Sequence, residues 1–435
     1  MSSPDPSPSE AIAAPREFLA AGWNCGIKPE ALDFGVLHSQ RPCSAAAVFT
    51  QNNYPGQPVI VGREHVANGA LQTIIVNSGN ANVATGAEGL ALARESCRVS
   101  ADALSIAPDL VLPSSTGVIG RPIPRDALLP ACSAIQERVL KAQAANFADF
   151  AAAICTTDAA PKLRSRELKS GVRLLGVAKG AGMIEPNMAT MLAYFICDAE
   201  IAASELQALF RAIIDRTLNR ISVDSDTSTS DTAILLANGA SGTRLSFPPA
   251  AIQAIRALPL PATADDFSGL NEQNGLSMEA REFAAALYTI ALDLSKLIVA
   301  DGEGAARFFE VRVSGARDAD QALRVARSIA NSPLVRTAIH GADPNWGRLV
   351  MASGKVDDGP TDLEALKIYI GDGGGQALHG SAGHDPEALA RLSQYIQSAS
   401  EVKIEVDLGV GTERECVWSS DLSKAYVHLN SEYTT

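Results

Sequence analysis

The chain has 435 residues, enough for two ordinary domains or for one large domain with a smaller one appended. Hydrophobic residues make up 46% of it and charged residues 20%, a balance that excludes an intrinsically disordered chain, a collagen-like repeat and a disulfide scaffold. The net charge of −13 comes without any run rich in lysine and arginine, which argues against nucleic-acid binding.

Cysteine and histidine usage argues against a metal enzyme. The seven cysteines are scattered without a C-x-x-C pair, and the six histidines include no H-E-x-x-H pair. Residues 1–14 have neither the basic nor the apolar segment of a secretory signal, which excludes such a signal. We expect these residues to form a short disordered tail. No apolar stretch approaches the roughly 18 to 20 residues that span a bilayer. We therefore expect a cytoplasmic protein that holds no metal.

The first half of the chain is rich in glycine and alanine, so its core is expected to pack from small and branched aliphatic residues. Runs of Val, Ile and Thr predict strands, and longer alanine-rich segments predict helices. In chain order we predict a strand at 45–50, a strand at 71–76 with a turn at 77–82, a helix at 87–99, a short strand at 110–112 closed by a turn at 113–117, and a helix at about 124–153.

The second half continues the alternation of strands and helices. Ser204 and Gln207 have the spacing of a capping box at the start of a helix. From residue 308 the alternation indicates a smaller α+β or α/β unit. The predicted elements are strands at 172–177 and 191–197, a helix after Ser204, a linker or surface excursion at 241–275, a helix at 278–299, strands at 309–313, 366–370 and 402–408, and a helix at 320–330.

A glycine-rich loop at residues 179–189 leads into an apolar strand that begins near Thr190. A threonine hydroxyl is a weak nucleophile, but an N-terminal threonine has its own α-amine, of pKa about 7.7 to 8.0, as a base. Reaching that state requires cleavage of the Ala189–Thr190 bond by attack of the Thr190 hydroxyl on the Ala189 carbonyl, followed by hydrolysis of the ester. A β-branched residue that merely opens a strand gives the same pattern.

A second stretch of small polar residues, Ser114 to Gly117, follows an apolar run. Successive N–H groups in such a turn can form an anion-binding nest and stabilise a tetrahedral intermediate, although an ordinary turn has the same composition. The segment 224–232 is dense in hydroxyls and carboxylates. Hydrogen bonding within a loop explains that segment better than a metal site does.

Together these stretches resemble the ornithine acetyltransferase (glutamate N-acetyltransferase) family of arginine biosynthesis, from about Pro15 to the C-terminus. Many separate motifs in the family's order make the resemblance specific. Glu185 departs from it, because histidine or a small residue is expected there. The segments that carry the resemblance are 76–86, 113–120, 156–158, 179–192, 222–232, 301–305 and 343–348.

The resemblance implies a role for each matching residue. Thr190 is implied as the nucleophile that cleavage after Ala189 exposes, and Thr116 and Gly117 as the oxyanion hole. The implied substrate-binding residues are Thr156 or Thr157, Lys179, Thr190, Glu303, Asn430 and Thr435. A lysine suits the substrate carboxylate, a glutamate suits the ammonium of ornithine, and the C-terminal residues close the pocket.

The implied activity is transfer of acetyl from N2-acetyl-L-ornithine to L-glutamate by a ping-pong mechanism, without metal or cofactor. Acetyl-CoA is a further acetyl donor in bifunctional members. The implied fold is a layered α/β sandwich of the self-processing N-terminal-threonine-nucleophile type over 15–300, with a smaller α/β domain over 301–435. Processed chains 1–189 and 190–435 are implied to form an α2β2 assembly.

Two alternatives stay open at this point. A self-processing aminopeptidase or amidase of related fold shares the nucleophile and the oxyanion loop, but water attacks its acyl-enzyme. A non-enzymatic binding protein that kept the fold stays uncleaved.

Overall fold

Two β-sheets with helices packed on them make up the computed structural model, which describes residues 12–185, 191–356, 363–371 and 382–432. The strands are β1 (Phe18–Trp23), β2 (Phe34–Phe49), β3 (Ala70–Asn80), β4 (Val111–Val118), β5 (Lys162–Glu167), β6 (Arg173–Lys179), β7 (Leu192–Cys197), β8 (Ile221–Ser222), β9 (Thr232–Ala237), β10 (Phe308–Ala316), β11 (Lys367–Ile370), β12 (Glu401–Asp407) and β13 (Glu413–Ser420).

The helices connect these strands and cover the faces of both sheets. They are α1 (Gln57–His65), α2 (Gly86–Leu104), α3 (Arg125–Ile135), α4 (Phe147–Ala153), α5 (Ala203–Ile214), α6 (Pro249–Arg256), α7 (Ala264–Ser268), α8 (Met278–Ala300), α9 (Ala319–Ala330), α10 (Pro333–His340), α11 (Trp346–Gly354), α12 (Pro386–Ser398) and α13 (Lys424–Glu432).

The larger sheet runs in the order β4-β3-β2-β9-β7-β6-β5, and β1 pairs with the first half of β2. Strands β7 and β9 are parallel to each other and lie between β6 and β2, to which they are antiparallel. Every residue of β7 and β9 is buried, because helices cover both faces of the sheet at this point. Their sequences are accordingly almost continuously apolar.

Helix α8 lies between the two sheets. It contacts β5 and β6 of the larger sheet and β8 and β13 of the smaller one. By length and composition α8 is apolar enough to cross a membrane, but its most apolar window is 61% buried, as in a core helix. The opposite face of the larger sheet packs on α4, and α9 covers β10 and β13. This alternation of helices and sheets confirms the predicted layered α/β fold.

The smaller sheet has the order β11-β12-β10-β13-β8 in the part of the chain that the structure describes. Its core is aliphatic: Val311 on β10, Val325 on α9 and Ile404 on β12 are among its buried residues. The short β8, from residues 221–222, joins this sheet beside strands that follow residue 300. The domain boundary at residue 300 stays a prediction.

Most of the predicted elements are confirmed. The strands at 45–50, 71–76, 172–177 and 191–197 fall in β2, β3, β6 and β7, and those at 309–313, 366–370 and 402–408 fall in β10, β11 and β12. The helices at 87–99, 278–299 and 320–330 correspond to α2, α8 and α9.

Two predicted turns are wrong, because residues 77–80 of the first and all of the second lie within strands. Strand β3 continues to Asn80, and the parallel β4 runs through Pro113 to Val118. Proline is tolerated there because β4 is at the edge of the sheet. The long helix at 124–153 is also wrong: it is interrupted between residues 142 and 146, where Gln143 has a φ of 49° and Asn146 caps α4.

The linker predicted at 241–275 is wrong. This segment contains α6 and α7 and buries Phe247, Ile255 and Phe267 in the main core. Its prolines and polar residues mark helix starts: Pro249 begins α6, and Thr263 forms a capping box with Asp266 on α7.

The capping box predicted at Ser204 is also wrong, because α5 begins after Ala202 without a side-chain cap. Gln207 instead bonds the backbone of β2. Its Oε1 accepts the Ala47 N–H at 2.9 Å, and its Nε2 donates to the Ala47 carbonyl at 3.0 Å. The amide thus bonds the strand as a neighbouring strand would.

We therefore expect Gln207→Leu to destabilise the protein by about 2 kcal/mol, because two buried backbone groups lose their partners. Urea unfolding followed by circular dichroism measures the change. Gln253→Leu, at an exposed position on α6, is the matched control. Equal stability of the two variants would contradict the role of the amide.

Candidate active site

A cavity of about 410 Å³ lies where the ends of β3, β4 and β6 meet the loop before β9 and helix α13. Seven residues singled out from the sequence line it, although they come from distant parts of the chain. They are Thr116, Gly117, Thr156, Thr157, Lys179, Glu303 and Asn430. Ala189, Thr190 and Thr435 lie outside the described residues.

Two glycines shape the wall of the cavity at the end of β4. Gly117 has a φ of 124° and Gly79, on the paired β3, has a φ of 107°. The strand register shifts at this point, and a Cβ on Gly117 would collide with the backbone of Gly79. Only glycine therefore fits at residue 117. Thr116 precedes it with only 9% of its surface exposed.

Lys179 ends β6 and directs its ammonium into the cavity. Its Nζ donates to Thr116 Oγ1 at 3.2 Å, and the residue is 6% exposed. This contact joins a buried cation to the predicted oxyanion loop. A buried ammonium is stable only when charges or hydrogen bonds compensate for the loss of water.

Asp158 supplies that compensation. Its carboxylate accepts the N–H groups of Gly180 at 2.6 Å and Thr156 at 3.1 Å, and it pairs with the Lys162 ammonium at 2.7 Å. Burial alone would raise the pKa of Asp158, but the Lys179 and Lys162 ammonium groups and the hydrogen bonds lower it to about 2. The carboxylate is therefore ionised and fixes the loops that carry Thr156 and Lys179.

Lys162 connects this network to the loop that carries Glu303. Its ammonium also pairs with Asp301 at 2.5 Å, and Asp301 accepts the Ala159 N–H. Lys162 is 4% exposed and is neutralised by two carboxylates. It therefore acts as a structural cation rather than as one that is free to bind substrate.

Glu303 lies against the glycine-rich loop on another wall. Its N–H donates to the Ala181 carbonyl at 2.8 Å, and a Cβ on Gly182 would lie 2.5 Å from its carboxyl carbon. Asn430 on α13 donates its Nδ2 to Glu303 Oε2 at 2.9 Å. Glycine at 182 thus makes room for the carboxylate, and α13 holds it in place.

Hydrogen bonds from two other segments fix residues 183–185, where the described part of the chain before Thr190 ends. The Asp224 carboxylate accepts the N–H groups of Met183 and Ile184 at 2.6 and 2.7 Å. Glu185 accepts a bond from Asn331 at 2.9 Å, and burial raises its pKa against the effects of Asn331 and Arg327. The loop hydrogen bonding predicted for 224–232 therefore serves in part to fix a different loop.

Asp231 bonds the chain on the C-terminal side of the predicted cleavage bond. The sequence analysis gave this residue no role of its own. Its Oδ1 accepts the N–H of Met191 at 2.5 Å, the residue that follows Thr190, and it is 2% exposed. Burial raises the pKa of this carboxyl well above its usual range, and the Met191 N–H and the Lys179 ammonium oppose that rise. Asp231 thus anchors the backbone that leads into β7.

Other residues of the cavity wall were also missed, namely Lys28, Asp226, Ser228, Ser230 and Tyr426. Asp226, Ser228 and Ser230 belong to the hydroxyl-rich segment 224–232, which was predicted to form hydrogen bonds within a loop, whereas no local pattern distinguishes Lys28 and Tyr426. Within the described residues, no group of three or more His, Cys, Asp or Glu is placed to hold a metal. Cations, carboxylates and hydroxyls around one cavity suit a small zwitterionic substrate.

Comparisons with known proteins find one family over most of the chain. The ArgJ family model matches residues 19–435. The arginine biosynthesis bifunctional protein ArgJ 2 of Clostridium acetobutylicum is 39% identical over 97% of this chain and 98% of its own. The glutamate N-acetyltransferase Oat2 of Streptomyces clavuligerus is 40% identical over 97% of this chain and 98% of its own. A solved structure of ornithine acetyltransferase from Mycobacterium tuberculosis, complexed with ornithine, is 33% identical, covers 40% of this chain and 94% of its own, and has a TM-score of 0.38.

The buried Asp231 makes a pH-dependent contribution to stability. Between the unfolded pKa of about 3.9 and the raised folded pKa, the folded protein holds a proton that the unfolded chain has released. The free energy of unfolding therefore falls as pH rises through this window, by up to about 1.4 kcal/mol per pH unit. Asp231→Asn lacks this contribution.

We expect the stability of Asp231→Asn relative to the unsubstituted protein to increase between about pH 4.5 and pH 6.5. Urea unfolding at both pH values measures it. Asp320→Asn, at an exposed side chain on α9, is the control. A constant difference at the two pH values would show that Asp231 is not protonated in the folded state.

Proposed function

The chain belongs to the ArgJ family, and we propose that it is an acetyltransferase of arginine biosynthesis that moves acetyl from N2-acetyl-L-ornithine to L-glutamate. The observation that carries this proposal is the convergence of seven residues from distant segments on one cavity, with Lys179 and Glu303 as groups of opposite charge in its wall. Both substrates are small amino acids with charged ends, and such a cavity matches their chemistry.

The proposed reaction begins with maturation. The Thr190 hydroxyl attacks the Ala189 carbonyl, the peptide bond shifts to an ester, and water hydrolyses that ester. Thr190 then has a free α-amine that can accept the proton of its own hydroxyl. Support comes from the fixed residues on both sides: Asp224 holds Met183 and Ile184, and Asp231 holds Met191.

In the first half of the cycle, the Thr190 oxygen attacks the acetyl carbonyl of N2-acetylornithine. Thr116 and Gly117 stabilise the oxyanion, the amide bond breaks, and ornithine leaves with the proton on its amine. The Lys179 ammonium attracts the substrate carboxylate and the Glu303 carboxylate attracts the side-chain ammonium. Thr156 or Thr157, Asn430 and Thr435 complete the proposed binding set.

In the second half, the neutral α-amine of glutamate attacks the acetyl-threonine ester. N-acetylglutamate leaves, and the threonine hydroxyl is regenerated. Neither half requires a metal or another cofactor, and acetyl-CoA is a proposed additional donor. Full-length relatives with acetyltransferase names favour transfer to glutamate over the aminopeptidase alternative.

We further propose that the processed chains 1–189 and 190–435 assemble as α2β2 and that the protein works in the cytoplasm. All seven cysteines are free thiols, and five of them are buried. Free thiols are the rule in a reducing compartment, which supports this location.

Thr190→Ala tests the nucleophile. The variant is expected to remain one chain of 45.4 kDa without acetyl transfer, whereas the unsubstituted protein gives chains of roughly 20 and 26 kDa. Denaturing intact mass and a coupled transfer assay measure both outcomes. Thr337→Ala, at an exposed threonine on α10, is the control. A cleaved and active Thr190→Ala would contradict the assignment, and an uncleaved, inactive unsubstituted protein would favour the binding-protein alternative.

Gly182→Ala tests the position of Glu303. The added methyl group displaces the Glu303 carboxylate, so we expect the KM for N2-acetylornithine to rise about 10-fold or more. Gly354→Ala is a matched control, because a Cβ there meets nothing within 4 Å. Steady-state kinetics at saturating glutamate provide the measurement. An unchanged KM in a folded Gly182→Ala would mean that Glu303 does not contribute to substrate binding.

A further inference from the structure

Lys28 reaches the cavity from a loop that the sequence analysis did not connect with the site. The buried Asp33 fixes this loop, since its carboxylate accepts the N–H groups of Cys25, Ile27 and Lys28 at 2.6, 2.7 and 2.8 Å. The Lys28 stem passes over Gly79, where a Cβ would lie 3.4 Å from Lys28 Cγ. The loop and the glycine together place the side chain at the wall of the site.

The Lys28 ammonium is held by backbone carbonyls. Its Nζ donates to the Cys155 carbonyl at 2.6 Å and to the Leu32 carbonyl at 3.3 Å. An ammonium has three donors, so one N–H remains for a ligand. Among the ion pairs of the described residues, none joins Lys28 to a carboxylate. Two carbonyls therefore position the ammonium, which makes no direct ion pair within the described residues.

Burial is the main cause that lowers the pKa of Lys28, and the nearby Lys179 ammonium lowers it further, while Cys155 and the Asp33 and Asp158 carboxylates oppose the shift. Lys28 and Lys179 line the same cavity. An anion bound between two such cations would be stabilised, because it relieves their repulsion and the cost of their burial. Lys162 cannot serve as the second cation for a bound anion, because two carboxylates already neutralise it.

The two substrates of the proposed function differ in charge. N2-acetylornithine has one carboxylate and one ammonium, whereas glutamate has two carboxylates. A ping-pong enzyme binds both in one cavity, so it needs a second cation for the acceptor alone. Resting on that proposed function, we infer that Lys28 binds the second carboxylate of the acceptor and makes the enzyme select a dicarboxylic amino acid.

The test compares glutamate with glutamine, which has an amide in place of the side-chain carboxylate. The enzyme is first acetylated with N2-acetylornithine, and kcat/KM is then measured for each acceptor in the unsubstituted protein, Lys28→Gln and Lys28→Arg. We expect Lys28→Gln to lose about 10-fold to 100-fold with glutamate and much less with glutamine. Lys28→Arg keeps the charge and is expected to retain most of the preference.

Lys169→Gln is the matched control, because Lys169 is exposed and outside the cavity wall. Equal losses for both acceptors in Lys28→Gln would mean that Lys28 only holds the Cys155 and Leu32 carbonyls, and this would overturn the inference. Unchanged kcat/KM values for both acceptors in Lys28→Gln would overturn the inference as well and leave the proposed function intact. Absence of acetyl transfer to glutamate by the unsubstituted protein would overturn the proposed function and the inference with it.

Discussion

The insertion of β7 between β6 and β9 is the constraint on which the rest of the site depends. Its register places Leu192 opposite Lys179 on one side and opposite Thr232 on the other. Met191 and Asp231, which directly precede those strands, are thereby brought within hydrogen-bond distance. A slip of one residue would turn every side chain of β7 to the wrong face. Complete burial of the strand opposes such a slip.

Around this register, the site concentrates several buried charges. Asp158 pairs with Lys162 and bonds the backbone at Gly180, and Lys162 extends the network to Asp301. The isolated charges would be costly to bury, but the network satisfies them and fixes three loops at once. In the proposed function, this network holds Lys179 and Glu303 in place before a substrate binds, which would reduce the entropy that binding must otherwise lose.

The sequence predicted the elements whose signals are local. The apolar run at 191–197 matches β7, and the apolar period of 278–299 matches α8. It missed β9, because Ala-Ile-Leu-Leu-Ala is buried on both faces and shows no alternation that separates a strand from a helix. The linker at 241–275 failed for another reason, since proline and glycine mark the ends of helices as well as loops.

The sequence predicted some residues of the candidate site and missed others. Lys179, Glu303 and Asn430 were found only because several motifs together resembled a family, whereas Thr116 also lies in a stretch whose small polar residues had indicated an anion-binding nest. Lys28 lies near Lys179 because Asp33 fixes its loop and because its ammonium bonds the carbonyl of Cys155, which is distant along the chain. Spacing along the chain carries no information about such proximity, so a lone lysine looks like any surface charge.

The proposed cleavage before residue 190 would have a mechanical consequence that follows from the position of β7 and β9. Both strands then belong to the C-terminal fragment, while β6 and β2 on either side belong to the N-terminal one. Strands of the two fragments would therefore lie side by side in one sheet. The β2–β9 and β6–β7 ladders of hydrogen bonds would both have to break before the fragments could separate. Dilution alone would therefore not be expected to dissociate the proposed pair, because each fragment would depend on the other for its share of a common sheet.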